Sequence, residues 1–183
     1  AYVFERAVNG TWVNAQKIIA NDAQASDAFG TSVSISGDYI IVGAPNEDTG
    51  ASNAGAAYIF ERVSGTWNEN CKIVPTDLIP YDYVSSSYFG NSVAIDGTTA
   101  VVGTPQKDIS SVDRNEGCAY IFERESNGTN WTQVKKIYSG NYFSEFGTSV
   151  AISGTNVIVG APKDDAGGTS RGAAYVYVRS AGG

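Results

Sequence analysis

The sequence predicts an all-β protein whose four-stranded antiparallel sheets stack face against face, the layout of a β-propeller. Three observations predict it: a phrase returns three times, its apolar residues follow strand periods, and no segment carries a helical period. The phrase reads FGTSVSISGDYIIVGAP from Phe29, FGNSVAIDGTTAVVGTP from Phe89 and FGTSVAISGTNVIVGAP from Phe146. Around it lie two more markers. AYVFER opens the chain at Ala1 and returns as AYIFER at Ala57 and Ala119 and as AYVYVR at Ala174. Trp12, Trp67 and Trp131 each begin a stretch that ends in Lys-Ile. The order is constant and defines a repeat of about 55 to 60 residues.

Each marker reads as one strand. TSVSISG alternates Val33 and Ile35 with small polar residues, the period of a strand. SGDY, DGTT and SGTN follow as tight turns, where Gly37, Gly97 and Gly154 tolerate positive φ. YIIVGAP, TAVVGTP and NVIVGAP are continuously apolar and read as strands buried on both faces, each ended by Pro45, Pro105 or Pro162. The glycine and proline closing these runs are expected to make turns. The glycine of each Phe-Gly pair is expected where neighbouring backbone packs close, with the phenylalanine filling space between sheets. AYIFER places Tyr58 and Phe60 on one face and Ile59 on the other. The tryptophan strand, with Asn68, Glu69, Asn70 and Lys72, is polar enough for an outer edge.

The strand count is uneven. Residues 1–20 read as half a blade, 28–75 and 88–137 as whole blades, and 145–179 as a partial blade of three strands. That is fewer than the four or so blades of a closed ring. Either further blades lie on a longer polypeptide, or copies complete one another by strand addition and build a ring or filament.

Composition narrows the function. The chain has 183 residues, 42% of them hydrophobic, enough for a packed core. Its net charge of −7 argues against a nucleic-acid partner. No apolar run reaches the length of a membrane helix, and Ala1 opens directly in strand-like sequence without a signal-peptide pattern. Histidine is absent, which removes the commonest general base and metal ligand. Cys71 and Cys118 form one disulfide or remain small buried hydrophobes. No recurring carboxylate pair, nucleophile with base or phosphate-cradling loop stands out, so an enzyme is not expected.

FGTSVSISG…IIVGAP…GAAYIFER resembles the FG-GAP repeat, the blade unit of integrin α-subunit heads and of many surface proteins. The resemblance spans the chain in three copies and implies a β-propeller, an extracellular or cell-surface setting, and a role in adhesion or ligand binding. Many relatives carry an acidic calcium loop between the FG and GAP strands. Here that link offers at most Asp38 or Asp96, too few ligands for calcium, so neither that site nor any other cofactor is expected.

Acidic residues cluster instead after the GAP turns: Glu47 and Asp48, Asp108 and Asp113, Asp164 and Asp165. They are either solvated turn formers or a ligand rim repeated on one face. Asn9, Asn127 and Asn130 begin N-glycosylation patterns in hairpins of the outer rim. Tyr81, Tyr83, Tyr88, Tyr138, Tyr142 and Phe143, in the links before FG strands, are candidates for a glycan platform or covers for the core ends. Lys135 and Lys136 are expected on a solvated strand face. The sequence thus points to a non-enzymatic adhesion or ligand-binding module with a protein or glycan partner. The alternative is a structural protomer joined to other copies by strand addition.

Overall fold

The computed structural model describes residues 1–48, 51–77, 87–109, 115–126, 128, 130–165 and 169–180. Among them are thirteen strands and no helix. β1 (Tyr2–Arg6) and β2 (Trp12–Lys17) form a hairpin. β3 (Val33–Ser36), β4 (Tyr39–Ala44), β5 (Ala56–Val63) and β6 (Thr66–Ile73) follow as a four-stranded sheet in chain order. β7 (Ser92–Asp96), β8 (Thr99–Thr104), β9 (Cys118–Arg124) and β10 (Trp131–Ile137) repeat it. β11 (Ser149–Ser153), β12 (Asn156–Ala161) and β13 (Ala173–Val178) make a three-stranded sheet. Every pairing between neighbouring strands is antiparallel. These are the half-blade, blade 1, blade 2 and partial blade 3.

Strand register sorts each blade into a rear face, toward the preceding blade, and a forward face. In blade 1, Val33, Val42, Tyr58 and Lys72 form one cross-strand row, and Ser34, Ile41, Ile59 and Cys71 the next. Because side chains alternate along a strand, the two rows point opposite ways. Tyr58 and Phe60 therefore meet Val3, Ile18 and Ala20 of the half-blade, whereas Ile41, Ile59 and Ile73 meet Val93, Ile95 and Tyr120 of blade 2. Blade 2 does the same with blade 3, through Val101, Ala119 and Ile137 against Phe146, Val157 and Val159. β4 and β8 are buried on both faces as a direct result, whereas β12, expected to be the same from NVIVGAP, is covered on its rear face alone and leaves Ile158 44% exposed.

Each FG phenylalanine packs edge-on against the aromatics of its own blade. Phe29 lies 5.5 Å from Tyr58 and 6.1 Å from Phe60, and Phe89 lies 5.7 Å from Tyr120 and 6.0 Å from Phe122. The FG strands stand side by side as the inner strands. Ser32 just before β3, and Ser34 and Ser36 within it, accept hydrogen bonds at Oγ from the backbone N–H groups of Val93 (3.0 Å), Ile95 (3.2 Å) and Gly97 (3.0 Å).

The GAP glycine corrects one expectation. It makes no turn. Gly43 sits inside β4, and a Cβ there would lie 1.9 Å from the carbonyl oxygen of Gly90 in the next blade. A Cβ on Gly103 would likewise lie 2.1 Å from Gly147 O. The FG glycines approach from the other side, a Cβ on Gly90 reaching Ala56 O at 2.3 Å. The small residues of the phrase are thus where two backbones meet between blades. Cys71 and Cys118 pack in the same core between blades 1 and 2 and are free thiols rather than a disulfide. Burial pushes the Cys71 thiol up to about 11 and the Cys118 thiol up to about 12.

Candidate functional site

Antiparallel strands in chain order place the GAP-to-AYxF loops and the links into FG strands at one end of every blade. The FG–GAP and AYxF–tryptophan hairpins lie at the other. The first end carries a polar cluster in each blade, and none was evident in the sequence. In blade 1, Tyr58 Oη donates to Asp22 Oδ1 (2.8 Å), and Lys72 Nζ reaches both Asp22 Oδ2 and Glu47 Oε1 at 2.8 Å. In blade 2, Tyr120 Oη donates to Asp77 Oδ1 (2.7 Å) and Lys136 Nζ to Asp77 Oδ2 (2.6 Å). In blade 3, Asn141 takes the place of that aspartate. Its Nδ2 donates to Asp164 at 3.0 Å, and Tyr175 Oη donates to Asp164 Oδ2 at 2.8 Å. The lysines also lie over the tyrosine rings, Lys72 5.5 Å from that of Tyr58 and Lys136 5.6 Å from that of Tyr120.

The electrostatics follow from these contacts. Burial opposes ionisation of Asp22, but hydrogen bonds from Lys72 and Tyr58, with the lysine charge, outweigh it and hold the carboxyl below its usual range. Asp77 is lowered in the same way, by Lys136 and Tyr120 against burial. Burial and the acceptor carboxylates push Tyr58 and Tyr120 up, and Lys72 is raised because Asp22 and Glu47 overcome its desolvation. Each of these groups keeps its ordinary charge state at neutral pH. Such a cluster ties loop to strand.

The acidic rim divides in two. The first residue of each loop is buried: Glu47, Lys107 and Asp164 are 4%, 2% and 0% exposed. The second closes the loop. Asp48 Oδ1 accepts from Asn53 N–H (2.8 Å), Asp108 Oδ1 from Asn115 N–H (2.8 Å) and Asp165 Oδ1 from Ser170 N–H (2.5 Å). The donors share a left-handed backbone, with φ of 50° at Asn53, 42° at Asn115 and 48° at Ser170. Asp113, Asn127, Tyr81 and Tyr83 lie outside the described residues.

Lys136, expected on a solvated face, is the cation of the second cluster, while Lys135 is exposed. Tyr88 is half-buried, and Tyr138, Tyr142 and Phe143 are exposed in the link between β10 and β11. Asn9 is exposed at the opposite end and accepts from Thr11 Oγ1 at 2.7 Å, whereas Asn130 is exposed with Nδ2 3.3 Å from Glu125 Oε2. The FG–GAP hairpin acids do not converge on a metal. Asp38 binds Arg62 at 2.7 Å and Asp96 accepts from Gly154 N–H at 2.7 Å. The donor set does not fit calcium.

Blades of four antiparallel strands, stacked through repeated inner-strand and GAP-glycine contacts, define a protein built of β-propeller blades. The sequence profile of the FG-GAP repeat family matches residues 12–60, 67–122 and 131–177, and the chain belongs to that family. Each matched segment starts on the tryptophan strand of one blade and ends on the AYxF strand of the next, so every repeat ties two blades together. No curated protein matches the chain significantly. FG-GAP repeats are typical of extracellular proteins and are generally non-enzymatic.

Proposed function

We propose that the chain is a non-enzymatic, extracellular binding module whose ligand meets the end carrying the GAP-to-AYxF loops. One observation carries the reading: Tyr138, Tyr142 and Phe143 are 50%, 53% and 56% exposed at the end where the loops are closed by Asp48, Asp108 and Asp165. Exposed aromatic faces held on a rigid scaffold suit the apolar faces of sugar rings and cost little entropy on binding. The sequon at Asn9 lies at the opposite end, so a glycan there would leave this surface clear. A glycan array probed with wild-type chain and with Tyr142→Ala/Phe143→Ala tests the reading. Binding by the wild type and its loss in the thermally unaltered variant support it; a blank array, or an equal signal from the variant, refutes it.

A further inference from the structure

Two of the N-glycosylation patterns lie wholly within the described residues, and their geometries differ. Asn9-Gly10-Thr11 forms the tip of the β1–β2 hairpin. Ala7 N–H donates to Thr11 O and Gly10 N–H to Ala7 O, both at 2.8 Å, and Gly10 turns the chain with a φ of 85°. The turn brings Thr11 back onto the asparagine. Asn9 Oδ1 accepts from Thr11 Oγ1 at 2.7 Å and from Thr11 N–H at 3.1 Å. Asn9 is exposed, and its Nδ2 bonds no other group among the described residues. All these contacts lie between residues 7 and 11, so the geometry is local to the hairpin.

In Asn130-Trp131-Thr132 the same groups are engaged elsewhere. Asn130 Nδ2 lies 3.3 Å from Glu125 Oε2, and Thr132 Oγ1 donates to Glu125 Oε1 at 2.7 Å rather than to the asparagine. The backbone between them is fixed as well, with Asn130 O accepting from Glu125 N–H at 2.9 Å and Trp131 buried in the core between blades 1 and 2.

We propose that Asn9 is an N-glycosylation site and Asn130 is not, the sugar coming from an oligosaccharide carried on a lipid diphosphate. The proposal rests on the extracellular setting of the proposed function. In the transfer, Asn9 Nδ2 bonds to the anomeric carbon of the sugar. The bond from that carbon to the diphosphate oxygen breaks, lipid diphosphate leaves with its electron pair, and one Nδ2 proton passes to a base of the transferring enzyme. Two hydrogen bonds at Oδ1 draw electron density from the amide and acidify those protons, and with Oδ1 facing Thr11 the planar amide turns Nδ2 away from it. The folded hairpin accepts the product. Ser64 and Gly65, at the equivalent tip of blade 1, are exposed although a layer lies on either side of that blade, so this position clears its neighbours. Val8 beside Asn9 is apolar and fully exposed, and an attached glycan covers it.

The full chain, secreted from cultured eukaryotic cells behind a cleaved leader and carrying Asn127→Gln throughout, tests this. Peptide N-glycosidase in heavy-oxygen water converts each glycosylated asparagine into a labelled aspartate, which mass spectrometry reads site by site. Label is expected at Asn9 in most molecules and at Asn130 in almost none. Thr11→Val should abolish it, and Thr11→Ser, which keeps the hydroxyl, should retain it. Gly10→Ala keeps the sequence pattern but disfavours the left-handed turn. Its Cβ meets nothing nearer than Arg6 Nη2 at 3.6 Å, so the chain still folds, and occupancy at Asn9 should fall severalfold. Equal labelling of Asn9 and Asn130, or a Gly10→Ala chain labelled like its parent, overturns the proposal. Unlabelled Asn9 in a chain that binds the glycan array overturns it and leaves the binding reading standing; labelled Asn9 with a blank array does the reverse.

Discussion

Replacing Gly43 with alanine puts a methyl group at the closest approach of two blades. The new Cβ would stand 1.9 Å from Gly90 O and 2.9 Å from Gly90 C, both backbone atoms. Restoring van der Waals distance needs a displacement of roughly 1.5 Å, enough to forfeit about half the dispersion attraction across that part of the interface. No side-chain rotation relieves it. Overpacking ordinarily costs about 1–3 kcal/mol, and a backbone-on-backbone clash belongs at the top of that range, about 3 kcal/mol. For a chain of this size that lowers the melting temperature by about 6–12 °C. Gly103→Ala should behave alike, with Gly147 O at 2.1 Å. Gly160→Ala is the internal control. There the Cβ meets Ser149 Oγ at 2.4 Å and nothing else inside 3.7 Å, so one hydroxyl rotation accommodates it at a cost below about 1 kcal/mol. Urea and thermal unfolding of the three variants, at dilution, give the assay. Equal losses at all three positions, or none at Gly43, would refute the stacking argument.

Stability should fall below about pH 5 and above about pH 8, where the thiols of the unfolded chain begin to ionise and those of folded Cys71 and Cys118 do not. Asp22 and Asp77 have lowered folded-state values, so their contribution is complete above the unfolded carboxylate value and is lost as pH falls through the folded ones. Lys72, Tyr58 and Tyr120 are raised, so theirs is complete below the unfolded values near 10 and is lost as pH rises through the folded ones. A urea midpoint as high at about pH 10 as at about pH 8 would contradict this. Native thiol labelling at about pH 8 should leave Cys71 and Cys118 unreacted, because burial keeps both as neutral thiols, and urea should release both. Rapid native labelling of Cys118 would contradict its place in the core.

The strands were legible because each carries its own period. Val33 and Ile35 alternate, Tyr39–Ala44 is apolar throughout, and Tyr58 and Phe60 share a face, so one-dimensional pattern sufficed. Contacts between blades were not legible in that way. Gly43 meets Gly90 across 47 residues, and nothing in GAP distinguishes a turn glycine from one pressed against another backbone. The polar clusters draw on three segments each, with Tyr58 36 residues and Lys72 50 residues from Asp22. A signal did exist in the constant offset of Asp22, Asp77 and Asn141 from Lys17, Lys72 and Lys136. Asp48, Asp108 and Asp165 read equally as turn formers or as a ligand rim, because a loop-closing carboxylate has the same composition as a binding one. Their bonds to the Asn53, Asn115 and Ser170 amides come only from the structure.

The account holds that the repeated phrase exists to stack one blade on the next. Amide hydrogen exchange resolved by residue, on the dilute chain, tests it most directly. Val93, Ile95 and Gly97 donate to Ser32, Ser34 and Ser36 of the preceding blade and should exchange slowly. The equivalent amides of Val33, Ile35 and Gly37 face the open rear of blade 1 and should exchange fast. Equal rates in the two sets would contradict stacking through the inner strands.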